Sequence, residues 1–310
     1  MNPFLLGKPR PIVVGHRGVP ARHQENTLAG FRHAISLGIP AVELDVQLTK
    51  DRRAVVLHDD DLRRLTGDSR RIFDLTWDQA SRLRIRRELP MGIDVHGAPV
   101  TIRYDHEEPI PLLEEVLAEV SDKLALNIEL KMTPAGWWQT EIARVVAKVI
   151  ADARVEHRVI VTSFDPRKLR ATFDAYPELL TGYCFSDNML NFARPLLGRL
   201  PLGSRPPADS HLQCNARHLL SRIVDSNMFG GVMRTRVVGA EHTIVSSQTV
   251  SRLHDKGISV GTHTIFPIGS TTGKAISPTG HETAEIERLV ALGIDWIESD
   301  DPERLQNLLG

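Results

Sequence analysis

Val42 to Asp59 reads V-E-L-D-V-Q-L-T-K-D-R-R-A-V-V-L-H-D. Val42, Leu44, Val46 and Leu48 alternate with Glu43, Asp45 and Gln47, a period of two that predicts a β-strand. That alternation puts Glu43 and Asp45 on one face, about 7 Å apart along the chain. Two carboxylates held side by side repel unless a cation or a proton intervenes. Thr49 to Arg53 reads as a turn and Ala54 to Leu57 as a returning strand, which brings His58 back near both carboxylates. A carboxylate pair with an imidazole suits metal-assisted acid/base chemistry. A strand with a solvated polar face and an ordinary surface histidine explains the same letters, and this stretch alone leaves both readings open.

Outward from it, the chain alternates strands and helices. Pro11 to Gly15 precedes this strand and ends in His16-Arg17-Gly18; Asn26-Thr27 caps a helix from Leu28 to Leu37 that Gly38 closes. After it come a helix at Leu112 to Val120, a strand at Leu124 to Met132 and a helix from Trp137 to about Ala153. Strands at Arg158–Ser163, Leu180–Phe185, Val237–Glu241, Ile258–Ile265 and Asp295–Ser299 complete a set of eight. Helices follow at Pro166, Ser247, Glu282 and Pro302, with proline at the first turn in two of them. Eight strands alternating with helices predict an α/β protein, a (β/α)₈ TIM barrel in one domain over residues 1–310. Asp60 to Pro109 is irregular, with a turn expected at Pro90-Met91-Gly92, and reads as a small insertion after the second strand. In such barrels catalytic groups gather at the carboxyl ends of the strands, where His16, Glu43, Asp45, Glu129 and Lys131 all fall.

Composition sets outer bounds. With 41% hydrophobic and 25% charged residues and a formal net charge of −1, the chain gives no global argument for nucleic-acid binding. Eight arginines between Arg63 and Arg87 (63, 64, 70, 71, 82, 84, 86 and 87) form a local basic run, read as a solvated face with anion attraction as the alternative. Cys184 and Cys214 make neither a disulfide framework nor a zinc motif. No apolar run is long enough to span a bilayer, so a soluble, cytoplasmic protein is expected. Gly269-Ser-Thr-Thr-Gly-Lys274-Ala275 falls one residue short of a P-loop and is read as a mobile lid. Ser163 lacks the G-x-S-x-G surroundings of a nucleophile elbow.

Several stretches together resemble the glycerophosphodiester phosphodiesterase family: H-R-G at 16–18, E-N-T at 25–27, E-L-D-V at 43–46, H-D-D at 58–60, I-P-L-L-E-E at 110–115, I-E-L-K at 128–131 and S-F at 163–164. G-I-D-W-I-E-S-D-D-P at 293–302 is a looser match to the family's closing strand. The resemblance implies hydrolysis of a glycerophosphodiester to glycerol 3-phosphate and an alcohol. It makes Glu43, Asp45 and Glu129 ligands of a divalent metal, Mg²⁺ or Ca²⁺, both of which prefer oxygen donors. It makes His16 and His58 the acid/base pair and puts Arg17 and Lys131 on the phosphate; within the pair we expect His16 as base and His58 as acid. Two departures stand out. Gln24 replaces the family's proline before Glu-Asn-Thr, and His263-Thr264-Ile265-Phe266 replaces its Trp-Thr-Val-Asn, which makes His263 a substrate-contacting candidate. Two other functions are open at this point. One is lysophospholipase D-type action on lysophospholipids, with an apolar approach through Met189 to Leu202. The other is a silent barrel that binds a phosphorylated ligand, against which the intact His16 and His58 argue.

Overall fold

The computed structural model describes residues 2–5, 11–94, 96–131, 140–186, 189, 223, 235–269 and 282–310. Eight parallel strands close on themselves: β1 (Ile12–Gly15), β2 (Ala41–Leu48), β8 (Ala125–Leu130), β9 (Val159–Ser163), β10 (Leu180–Phe185), β11 (Val237–Glu241), β12 (Ser259–Ile265) and β13 (Trp296–Ser299). Ring closure comes from β1, which pairs with β13 on one side and β2 on the other. Helices α1 (Leu28–Ser36), α3 (Leu113–Val120), α4 (Glu141–Ala153), α5 (Pro166–Ala175), α6 (Ser247–Asp255) and α7 (Glu282–Ala291) lie in the crossovers, and α8 (Pro302–Leu309) follows β13. This is the expected (β/α)₈ barrel. Thr27 caps α1 by accepting from Gly30 N at 3.2 Å, as its position before the apolar run predicts.

Apolar side chains between the strands and helices form the largest core cluster. The floor of the lumen is a second one, where Ile12, Val14, Ala41, Ile160 and Val237 surround Trp296 and Phe4 meets its indole edge-on at 5.4 Å. Only glycine fits opposite that indole: a Cβ on Gly261 would lie 1.9 Å from Trp296 Cε2. Polar residues begin above the floor. Register aligns Glu43 with Asn127 and Asp45 with Glu129 on neighbouring strands, so the polar faces of both strands share the lumen.

The hairpin read from sequence is present. β3 (Ala54–Val56) runs antiparallel to the upper part of β2, and Leu57 N donates to Asp45 O at 2.9 Å, which seats His58 beside the carboxylates. The following segment is more regular than its sequence pattern implies. It holds a short helix α2 (Trp77–Ala80), a pairing of β4 (Arg84–Ile85) with β7 (Glu108–Pro109), and a ribbon of β5 (Glu88–Ile93) with β6 (Pro99–Arg103). Pro90-Met91-Gly92 is not a turn, as expected, but the middle of β5. The register slips between Pro90 and Gly92, and Gly92 takes φ 99°, so the proline and glycine mark a bulge. Leu62, Leu65, Ile72, Leu75, Ile85 and Leu89 give this segment an apolar cluster of its own.

Candidate active site

The site is built at the carboxyl ends of the strands, starting from β1. After Gly15 the chain turns so tightly that a Cβ there would meet Gly18 O at 2.2 Å. Arg17 takes the left-handed conformation (φ 54°), costly for a side chain of its size, and is held by what it reaches. Its backbone N–H donates to Glu43 Oε2 at 3.0 Å, and its guanidinium lies 3.2 Å from Asp45 Oδ2 and 3.0 Å from Glu25 Oε1. Asn26, also left-handed at φ 59°, clasps Asp45 twice: Nδ2 donates to Oδ2 at 2.8 Å and Oδ1 accepts from Asp45 N at 3.0 Å. Gln24 is buried and donates to the carbonyls of Arg86 and His106, while the Tyr104 hydroxyl donates to Pro20 O at 2.7 Å. Where the family resemblance leads to proline, this chain therefore has an amide that ties the turn to the inserted segment.

Ligand oxygens of Glu43, Asp45 and Glu129 lie within 4.8 Å of one another. Lys131 is 2.9 Å from Glu129 Oε1 and 3.3 Å from Asp45 Oδ1. Burial pushes the Asp45 carboxyl up, but Lys131, His58, Arg17 and His16 outweigh it and hold it far below the usual carboxylate range. Glu43 goes the other way. Burial, then Asp45, Glu298 and Glu129, push it well above its ordinary value, and its Oε1 is buried without a partner. A buried carboxylate with an unfilled oxygen, facing two more, is a donor set for a hard cation. Glu25, His58 and Asp59 form a second close group of potential ligands, but here guanidiniums fill the carboxylate oxygens. Arg64 donates to both oxygens of Glu25 at 2.8 Å and to Asp59 Oδ2 at 2.6 Å, and Arg17 takes Glu25 as well. Cations touch both groups, but only the first keeps an unfilled buried oxygen, Glu43 Oε1. The metal candidates are Glu43, Asp45 and Glu129.

Each histidine has a carboxylate on Nδ1: His16 meets Asp300 Oδ1 at 2.6 Å and His58 meets Asp59 Oδ1 at 2.7 Å. A carboxylate accepts only, so each neutral ring places its hydrogen on Nδ1 and leaves Nε2 as the acceptor. His16 Nε2 lies 3.9 Å from Glu43 Oε2. Burial, then Arg17 and Lys131, lower the His58 pKa from its ordinary value, against the pull of Asp45 and Asp59. His58, Lys131, Gln47, Arg64 and the Asp59–Asp61 run border a cavity of about 400 Å³. His263 sits at the end of β12, edge-on to Phe164 at 5.9 Å, with Nε2 buried and unpartnered. Burial, then His16 and His242, lower its pKa to about 3, so it is neutral at physiological pH.

All eight residues singled out from sequence stand at this end of the barrel. Asp300, Asp59, Arg64 and Asn26 were not singled out as functional, although Asp300, Asp59 and Asn26 fall inside quoted motifs. Arg64 is the exception to the solvated basic run: it is buried to 15% exposure between Glu25 and Asp59. Ser163 is fully buried, donating to Leu130 O at 2.8 Å and accepting from Asp165 N, so its hydroxyl is held by the backbone. Cys184 is buried in the barrel and its thiol is pushed up by burial. Cys214, the apolar run after Met189 and residues 270–281 of the expected lid lie outside the described residues.

A model of the glycerophosphoryl diester phosphodiesterase family matches residues 16–304, which takes in both histidines and every carboxylate above. The chain belongs to that family. It is an enzyme of glycerophosphodiester hydrolysis. A glycerophosphodiester phosphodiesterase of Caldanaerobacter subterraneus subsp. tengcongensis is 33% identical over 177 residues, 57% of this chain and 67% of that one. A human lysophospholipase D is 36% identical over 122 residues, 38% of this chain and 36% of the other. The fold matches that of an Oleispira antarctica phosphodiesterase, solved with the product sn-glycerol-3-phosphate, with a TM-score of 0.64 at 22% identity over 96% of each chain. Among the described residues no helix is long and apolar enough to cross a membrane.

Proposed function

We propose that the chain hydrolyses a small glycerophosphodiester to glycerol 3-phosphate and an alcohol, with Glu43, Asp45 and Glu129 holding a divalent cation, Mg²⁺ or Ca²⁺. The observation that carries this reading is the pair of histidines, each with Nδ1 on a carboxylate, around one carboxylate cluster with an orphaned oxygen on Glu43. A bound divalent cation would supply Lewis-acid polarisation of the phosphoryl oxygens. Arg17 and Lys131 are fixed cations beside the same carboxylates and neutralise charge that builds on the phosphate in the transition state.

The histidines divide the proton work. Held neutral by burial and two neighbouring cations, His58 takes the proton of the attacking oxygen at Nε2. His16, between the carboxylates of Asp300 and Glu43, delivers a proton from Nε2 to the departing alkoxide as the phosphorus–oxygen bond breaks. This reverses the direction expected from sequence, and the reason is the environment of His58. The attacking oxygen is water or the glycerol 2-hydroxyl; a cyclic phosphate among the products identifies the second. His263, neutral and at the mouth, shapes substrate choice.

Charged and amide side chains border the cavity, which favours a polar alcohol over the acyl chain of a lysophospholipid. Product analysis on a panel from glycerophosphocholine to lysophospholipids, with Mg²⁺, Ca²⁺ and a chelator compared, tests the reading. Turnover that survives chelation, or a preference for lysophospholipids, would refute it.

A further inference from the structure

Gln47 follows Glu43 and Asp45 on the same face of β2, one more step of about 7 Å towards the mouth. It is 1% exposed, yet it borders the cavity beside His58 and Lys131. Its Nε2 donates to His58 O at 2.8 Å. A carbonyl oxygen cannot donate, so that contact fixes which end of the amide is the nitrogen. The other end, Oε1, is buried and has no partner. Unpaired buried acceptors are rare because the lost hydration is not recovered. Gln47 lines the same cavity as His58, Lys131 and Arg64, so the residue that carries this unpaired acceptor is part of that cavity's wall. A hydroxyl is a neutral donor that suits the amide oxygen and sets no charge against either Lys131 and Arg64 or the Asp59–Asp61 run on the same walls.

We propose that Gln47 is a specificity-determining residue whose Oε1 accepts a hydrogen bond from a hydroxyl of the substrate's glycerol. The assignment rests on the phosphodiesterase reading above, and its test avoids turnover. Binding of glycerol 3-phosphate and of propyl phosphate, which lacks both hydroxyls, is measured by calorimetry with Mg²⁺ present. Wild-type protein should prefer glycerol 3-phosphate by about 10- to 100-fold. Gln47→Met removes the acceptor and should abolish that preference while leaving propyl phosphate affinity near its wild-type value. Gln47→Glu loses the tie to His58 O but keeps an acceptor, and should retain the preference even where both ligands bind more weakly; it also serves where the Met variant does not fold. Equal affinity of wild-type protein for the two ligands overturns the assignment, as does a Gln47→Met loss of the same factor on both, which makes Gln47 only a support for His58. Hydrolysis of the diester panel is scored separately, so the assignment can fall while the phosphodiesterase reading stands.

Discussion

Glu25 makes no contact with substrate in this scheme, yet the site's stability depends on its charge. It is 1% exposed and carries three guanidinium hydrogen bonds, one from Arg17 and two from Arg64. Burial alone would raise its pKa, but Arg17 and Arg64 overcome that and lower it from 4.5 to about 2. A carboxyl depressed by that much in the folded state contributes about 3 kcal/mol of pH-dependent stability. Because the folded value is the lower one, the contribution is complete above about pH 5 and fades as pH falls through about 2. Glu25→Gln keeps the shape and removes the titration. Urea unfolding of wild type and variant at pH 7, 5, 4 and 3 should show the largest gap at pH 7 and a narrowing one below pH 5, because groups common to both proteins cancel. Two buried cations left short of a partner add a constant penalty to the variant at every pH. A gap that stays constant from pH 7 to pH 3 would show that the Glu25 carboxylate is not held by its arginines, and the charge-compensation argument against a metal there would go with it.

Further outcomes follow from the same geometry. Glu129→Gln should lower divalent-cation affinity at least tenfold in calorimetry with the circular dichroism unchanged; normal binding would remove Glu129 from the ligand set. His16→Ala should reduce turnover of a glycerol diester by about 10²–10⁴-fold but that of a nitrophenyl diester far less, since nitrophenolate leaves without a proton, while His58→Ala should reduce both comparably. Equal proportional losses in the two variants would leave the division into acid and base unsupported. His263→Trp should alter relative rates across the diester panel more than it alters metal affinity; a uniform loss on every substrate would make His263 part of the chemistry instead.

Much of this architecture was legible because the barrel writes a local signal. Alternation over Val42–Leu48 predicted a strand with Glu43 and Asp45 on one face, and the register places Asp45 beside Glu129 of the next strand. The return of His58 followed from one hairpin. What escaped were partnerships made across distance: Arg64 finds Glu25 39 residues away, and Asp300 finds His16 284 residues away. No periodicity encodes such pairs, and a run of eight arginines hides the one that is buried. Pro90-Met91-Gly92 misled for a related reason. Turn-forming residues also make bulges, and only the β6 partner decides between the two.

The contact between His16 and Asp300 joins the first strand of the barrel to the end of the last. The metal-ligand candidates all lie before residue 131, so an emerging chain could gather its carboxylates early. The His16–Asp300 pair forms only when β13 docks against β1. The same Asp300 carboxylate accepts from Ile268 N at 3.0 Å, and Ile268 packs in the apolar cluster of the inserted segment. The proton transfer proposed for His16 therefore depends on the closed ring with its insertion seated. A fragment, a circular permutant cut badly, or a misclosed intermediate would keep the candidate ligands Glu43, Asp45 and Glu129 but lack the His16–Asp300 contact. Turnover of such variants would report how faithfully the two ends of the chain have met.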